Sequence, residues 1–504
     1  MAHTSFDMQA FHAQIDDALK KHFPPSSPPT LPHPSALARA AASLPKASDA
    51  LSKPLGVSAT TTHLLDDIVP ALSGQALSPR YYGFVTGSVH PAAQAAEAVV
   101  AALDQNVQVH LPDQTIATDV EASALDLLAD LLGLSHPQTG APRGIFTGRT
   151  FTTGATGSNI LGLACAREHV LARRVPPGSP SVGELGILGA CVAAGVTNIQ
   201  VLTSMGHSSL SKAASVVGLG RASVKQMAKS PERPWLLDVD AVERELVARD
   251  GTGVATIIAL DSCGRRQVVP CYVCGKEMDL IWENTAFGIF AAALAPGTVF
   301  DKLRERVSGV YLADSIAVDG HKLLNVPYDC GMFFTRSLPT LTNVFTNPNA
   351  AYLASSAGAP IPSPLNVGLE NSRRFRALPA YAVLRSEGRK GMAAMLGRMV
   401  ELARRIACFV RDSEHYDWLP DGEADVDDTH IIVLLRAKNL ALNDELVARI
   451  NETRDMYVSG TSWGGRKAVR VAIGSWRVDV ERDFAVVEAI LSAVAEGRPY
   501  AAAV

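Results

Sequence analysis

Asp319, His321 and Lys322 stand close together in the run ADSIAVDGHKLLNVPYDCG, residues 313–331. An acid, an imidazole and an amine at that spacing can hold and pass protons. The amine is the most telling of the three. Lys322 follows Gly320-His321 and precedes Leu323-Leu324, a poor setting for a solvated surface lysine. Apolar flanks disfavour an ammonium and favour a free amine, the form that attacks a carbonyl.

Two further segments carry candidate chemistry. FTTGATGSNILGLACARE, from Phe151, is a small-residue turn feeding a helix. Gly154, Ala155, Thr156, Gly157 and Ser158 have little bulk, so an anion can approach the backbone N–H groups at the helix start. Taken alone, such turns are common before helices. SMGHSSLSKAA, from Ser204, places His207 just after an apolar segment, NIQVLT, with the character of a strand. A single histidine at a strand end is structural at least as often as functional. Cys271 and Cys274 form a lone CxxC, without the second pair or the histidine at ligand spacing that zinc requires, so no metal is expected.

The elements that must position these groups follow from the patterning. The chain has 504 residues, 47% hydrophobic and 19% charged, enough for a large core and too long for one simple domain. Met8, Phe11, Ile15 and Leu19 at helical spacing predict a helix over 6–23, and FPPSSPPTLPHPS breaks it. A helical arm over 1–75 is too thin to hold its own core. From 76 to 370 short apolar runs (NIQVLTS, ATIIAL, GVYLADS, CGMFFT) alternate with helices, which predicts a largely parallel α/β sheet. Thr118 and Glu121 have capping-box spacing at the start of ATDVEASALDLLADLLGL. From 371 to 504 a long arginine-rich helical stretch precedes the strand-like HIIVLLRA and AVRVAIGS, predicting a smaller α+β domain.

Several functions are disfavoured. A formal charge of −4 gives no electrostatic reason to invoke nucleic acid. No apolar run approaches the roughly 18 residues that span a bilayer, and the N-terminus lacks a signal-peptide core. Seven scattered cysteines, an odd number, do not look like a disulfide framework and point to a reducing, cytoplasmic compartment.

In chain order the sequence carries a Gly/Thr turn, a histidine after a strand, and Asp319-Gly320-His321-Lys322. Together with DQNVQVHLPDQTIATDVE and DGHKLLNVPYDCG, this resembles the pyridoxal-phosphate-dependent group II amino-acid decarboxylases, of the aromatic-amino-acid and tyrosine decarboxylase kind, from about residue 78 to 490. The resemblance implies a fold-type I architecture, a cytoplasmic homodimer with a shared active site, and conversion of an L-amino acid to its amine and CO2. It implies that Lys322 forms the Schiff base with the aldehyde of pyridoxal 5'-phosphate, that Asp319 and His321 line the cofactor, and that His207 stacks on its ring. Ala155, Thr156 and Ser158 match the turn that holds the phosphate. Tyr352, in FTNPNAAYLASS, matches the loop tyrosine that reaches the neighbouring subunit's site and returns a proton after CO2 leaves. Members with phenylalanine there tend to form aldehydes. Tyr81, in PRYYGF, matches a segment lining the substrate side chain, where an aromatic suits an aromatic or bulky amino acid; plain core packing explains it equally well.

One stretch departs from the family. In TIIALDSCGRRQVVPCYVCGKEMDLIWENTAFG, anchoring on AFG puts Asn284 where the family has an aspartate. That carboxylate keeps the pyridine nitrogen protonated, so that the ring accepts electrons as the Cα–carboxylate bond breaks; an amide cannot do the same. The neighbouring Glu283 faces the other side of a strand. Three readings of the departure stay open: a decarboxylase with altered electronics, a cofactor-binding paralogue with reduced activity, or a mis-spliced segment over 261–285. Other chemistries of the same cofactor, transamination or carbon–carbon lysis, are the alternative within enzymes.

Overall fold

The computed structural model describes residues 8–26, 28–45, 51, 53–134, 145–231, 233–261, 281–284, 286–347, 361–419 and 425–501. Two compact units result, 89–397 and a second made of 1–88 with 398–504. This differs from the three consecutive segments expected. The N-terminal arm and the C-terminal residues share one unit because they bond each other: Thr30 Oγ1 donates to the Asp455 carbonyl at 2.8 Å, and Arg80 pairs with Asp483 at 3.0 Å.

The 89–397 unit is built on a seven-stranded sheet. Its strands are β1 (Gly148–Thr152), β2 (Asn198–Thr203), β3 (Val224–Gln226), β4 (Val254–Asp261), β5 (Ile281–Asn284), β6 (Ser315–Asp319) and β7 (Gly331–Thr335), in the order β1-β7-β6-β5-β4-β2-β3. The pairs from β6 through β5, β4 and β2 to β3 are parallel. β7 runs antiparallel to both β6 and β1, so β1 points the same way as β6. Every residue of β6 and β7 is buried, as expected of strands covered on both faces. The helix Ala155–Ala172 packs across β6 and β7 and buries Leu161, Leu163 and Val170 completely or nearly so.

The runs NIQVLTS, ATIIAL and CGMFFT are strands as expected; GVYLADS is not. Val310–Leu312 is a 3-10 turn, and the strand begins only at Ser315, which lies opposite Thr335 of β7. The apolar run after β5 is a 3-10 helix over Gly288–Ala293 that buries Ile289, Phe290, Ala291 and Ala293. The Thr118/Glu121 capping box does not form: the helix runs Ala117–Leu131 with Ile116 as its N-cap, so Thr118 is already inside the first turn, and both side chains have other partners. Thr118 Oγ1 bonds His110 Nδ1 at 2.8 Å, and Glu121 pairs with Arg373. A capping box does occur at Ser181 and Glu184.

In the other unit β8 (Tyr416–Leu419), β9 (Ile432–Ala437), β10 (Ser459–Trp463) and β11 (Arg466–Ala472) form an antiparallel sheet in the order β10-β11-β9-β8, flanked by helices Leu440–Glu452 and Val480–Glu496. Among the described residues no helix is long and apolar enough to cross a membrane.

Candidate active site

The candidate residues gather where a parallel sheet places ligands, just beyond the carboxyl ends of its strands. The Gly154 turn follows β1, His207 follows β2, Asn284 ends β5, and Asp319 ends β6 with His321 and Lys322 immediately after it. Strand polarity alone thus brings segments far apart in sequence to one edge.

Asp319 is the hub of this edge. Its side chain is 3% exposed, and Oδ2 lies 2.6 Å from Lys322 Nζ, the two groups separated by a single turn of backbone. Oδ1 accepts a hydrogen bond from the backbone N–H of Ala155, the first residue of the helix Ala155–Ala172. One carboxylate therefore ties the amine to the amino end of a long helix. The apolar flanks of Lys322 are as the sequence suggested, with Leu323 and Leu324 fully buried, yet the nitrogen itself meets a carboxylate. It also lies 5.6 Å from the centre of the Phe287 ring, a cation–π contact.

His321 sits beside this pair, with Nε2 3.6 Å from Asp319 Oδ1. Its ring packs on Tyr328 at 4.5 Å, and the Cys330 N–H points at its Nδ1 from 3.3 Å. Burial lowers the pKa of His321 from the ordinary histidine value; Asp319 opposes that shift, and Lys322 adds to it. Burial likewise raises the neighbouring Cys330 thiol far above its usual range, leaving it unreactive.

The turn is shaped for a close approach. Gly154 has φ +147°, and a Cβ there would stand 3.0 Å from His321 Cε1 and 3.2 Å from Asp319 Oδ1. Gly331 of β7 backs onto it so tightly that a Cβ would come within 2.5 Å of Gly154 Cα. The first-turn amides of Thr156 and Gly157 have no intrahelical acceptor, the usual condition at a helix start. Ala155 and Thr156 are half-buried. Ser158 is different: it is fully buried, and its hydroxyl bonds Thr152 Oγ1 at 2.8 Å and the Met332 carbonyl at 3.1 Å. It fastens the turn to β1 and β7 from behind, so its hydroxyl is committed away from any anion at the helix start.

His207 is the N-cap of the helix Ser208–Val216, and its Nδ1 accepts from the Ser209 backbone at 3.2 Å. The Ser209 hydroxyl lies 2.7 Å from the same nitrogen and 2.9 Å from Asn159 Nδ2, on the Ala155–Ala172 helix. Side-chain bonds thus join His207 to the helix whose first amide Asp319 caps. Asn284 is placed by its backbone, opposite Asp261 of β4 and Ala317 of β6. Tyr352 lies outside the described residues, as do Cys271 and Cys274 and most of the departing stretch. Tyr81 belongs to the other unit, where it bridges Tyr457 and stacks on its ring at 4.7 Å.

The sequence reading missed Phe287, Gly331, Asn159 and Ser209. Only Gly331 left a signal, a glycine directly after the DC of a motif already noted. The RRFR run at residues 373–376 could pass for a solvated or domain-bridging face in the sequence. Instead Arg373 is buried against Glu121, and Arg376 grips Asp329 through two bonds of 2.9 and 3.2 Å while pairing with Glu370 at 3.1 Å.

An amine, an anion-accepting helix start and a glycine cradle on one strand edge suit a cofactor with an aldehyde and a phosphate. Residues 75–424 match the family described as the pyridoxal-dependent decarboxylase conserved domain. The chain belongs to this family. Its members use pyridoxal 5'-phosphate to remove CO2 from amino acids, which makes the protein a carboxy-lyase. Among relatives, tryptophan decarboxylase 1 of Oryza sativa subsp. japonica is 25% identical over 434 residues, 82% of this chain and 80% of its own length. The aromatic-L-amino-acid decarboxylase of Sus scrofa is 26% identical over 371 residues, 72% of this chain and 71% of its own. The fold superposes on the Oryza sativa tryptophan decarboxylase solved with pyridoxal phosphate and tryptamine, with a TM-score of 0.78, 21% identity, and coverage of 99% of this chain and 100% of that one.

Proposed function

We propose that this decarboxylase holds its cofactor through Lys322 and acts on an aromatic or otherwise bulky L-amino acid, releasing the amine and CO2. The observation that carries the assignment is the shared Asp319 carboxylate, which sets Lys322 beside a helix start suited to an anion. Lys322 supplies the amine that bonds the cofactor aldehyde. Thr156 and the first-turn amides of its helix hold the phosphate, and Ser158 stiffens the turn that presents them. His207 lies against the ring, and His321, wedged between Asp319 and Tyr328, closes the lysine's flank. When bound, the cofactor accepts the electron pair released as the Cα–carboxylate bond breaks.

The residues around that event keep water out and move protons. Buried Leu323 and Leu324 and the Phe287 ring shield part of the lysine from solvent, leaving its side chain 21% exposed. Asp319 pairs with the Lys322 ammonium in the cofactor-free chain and would take it up again whenever the lysine is free of the cofactor. Tyr352 returns a proton to the α carbon, in an active site shared between two copies of the chain. With asparagine at 284, the end of β5, no carboxylate from that position would back the ring nitrogen, and the cofactor would supply a weaker electron sink. The preference for an aromatic substrate draws on the tryptophan and aromatic-amino-acid decarboxylases among the relatives. Free Cys165, Cys191, Cys330 and Cys408 accord with a reducing, cytoplasmic setting.

The test is to incubate cofactor-loaded protein with a pool of the standard amino acids and follow products by mass spectrometry. One aromatic amine should appear as its parent acid is depleted. A keto acid or an aldehyde in place of the amine would replace the decarboxylase assignment with transamination or oxidative chemistry. A small acidic or basic substrate would remove the aromatic preference.

A further inference from the structure

His207 is fixed by more than its own helix cap. The Ser209 backbone N–H, whose proton position is set by the peptide plane, points at His207 Nδ1 from 3.2 Å. That contact favours a lone pair on the nitrogen over a proton. The Ser209 hydroxyl, 2.7 Å from the same atom, can bond it only by donating its single proton. Its oxygen is then left to accept, and Asn159, wholly buried, meets it with Nδ2 at 2.9 Å. Each member's orientation follows from the one before, and together they leave one neutral tautomer.

We propose that Asn159 and Ser209 are positioning residues that hold His207 protonated at Nε2. Its outer ring edge then offers a donor, suited to an anionic oxygen such as the carboxylate of the amino-acid substrate. The use made of that donor rests on the placement of His207 against the cofactor; the tautomer does not. The molecule contains its own comparison. His33 caps the helix Pro34–Ser43 with the same two contacts, 3.2 Å from the Ser35 N–H and 2.7 Å from its hydroxyl. No third side chain bonds Ser35 among the described residues. A capping need alone therefore accounts for the His33 arrangement, and it leaves the buried amide behind Ser209 unexplained.

The experiment is nitrogen NMR on full-length protein labelled with 15N-histidine, with His207 assigned by loss of its signals in His207→Gln. Wild type should show Nδ1 unprotonated and Nε2 protonated. In Asn159→Asp the new carboxylate takes the Ser209 proton, the serine oxygen turns its lone pair to His207, and the tautomer ratio should move towards Nδ1–H by at least about tenfold. His33 should not change. If Asn159→Asp does not fold, Ser209→Ala and Ser209→Thr serve instead: alanine should blur the tautomer preference and threonine should restore it. A wild-type His207 protonated at Nδ1, or a ratio indifferent to these substitutions, overturns the proposal. Adding pyridoxal phosphate to cofactor-free protein separates the two claims. If the His207 signals keep their tautomer but ignore the cofactor, the relay stands and the placement of His207 against the ring is what fails.

Discussion

Two ion pairs in the 89–397 unit make opposite uses of a carboxylate. Arg373 and Glu121 are sealed from solvent, with side chains 2% and 9% exposed. The guanidinium is fully engaged: besides Glu121 it donates to the Val107 carbonyl at 2.8 Å and to the Phe151 carbonyl at 3.3 Å. Lys322 and Asp319 also form a close pair, at 2.6 Å, but the lysine is 21% exposed and has this one carboxylate contact among the described residues. The first pair is a rivet between segments distant in sequence. The second is left open on the lysine side, and its carboxylate reaches on to the helix start. A planar guanidinium that stays charged suits the rivet, and an amine that can lose its proton suits the open pair.

The largest expected effect comes from breaking the open pair. Lys322→Ala should remove the visible absorption of lysine-bound cofactor and lower turnover by more than ~10³-fold, a barrier increase of at least ~4 kcal/mol. Its unfolding midpoint in the cofactor-free state should fall less than when the rivet is broken: buried Asp319 loses its lysine but keeps the Ala155 N–H. Persistence of the absorption band would remove Lys322 from its role.

Breaking the rivet should do the reverse. Arg373→Met leaves Glu121 buried without its partner, a loss of about 3–5 kcal/mol measured by denaturant unfolding of cofactor-free protein. Protein that folds should still bind the cofactor. A variant with near-normal stability would mean that Glu121 finds water or another donor, and that the pair does not hold the unit together.

How legible each pair was in the sequence follows from their geometry. Asp319 and Lys322 are separated by one turn, so a short motif contains the whole contact, and strand polarity carries it to the right edge. Arg373 and Glu121 are 252 positions apart, and nothing local in RRFR distinguishes a rivet from a solvated stripe. Glu121 left its expected capping box for the same distant arginine, while Thr118 went to His110 only 8 residues away. Strand register had a similar limit. The apolar run GVYLADS shows that something there is buried, while the strand's start at Ser315 is set by pairing with β7. The antiparallel insertion of β7 between β6 and β1 has no sequence signature at all.

A smaller perturbation tests whether the open pair depends on the turn it caps. Gly331→Ala would bring a methyl group within 2.5 Å of Gly154 Cα and 2.8 Å of Thr152 Oγ1, so backbone must move. The displaced amides should weaken cofactor binding by about tenfold or more, roughly 1.4 kcal/mol, read by fluorescence titration. Unchanged affinity would show that the Gly154 turn does not take part in holding the phosphate.

The smallest effect is a pH dependence that the open pair imposes on its neighbour. Burial holds the folded-state pKa of His321 below its unfolded value near 6.5, despite Asp319. Between those two values the unfolded chain binds more protons than the folded one, so stability rises with pH through that window. Above pH ~6.5 both states are neutral at this residue and the dependence vanishes. Acidification from 7 towards the folded pKa should therefore destabilise the protein, and His321→Asn should flatten the His321 share of that slope. His22 and His90, whose pKa values burial also lowers, keep their shares. Asp319→Asn sharpens the comparison further. Removing the carboxylate takes away the one influence that favours the imidazolium most strongly, so the wild-type slope should steepen. If it flattens instead, burial is not what governs His321, and the carboxylate's hold extends past the lysine to the whole edge of the site.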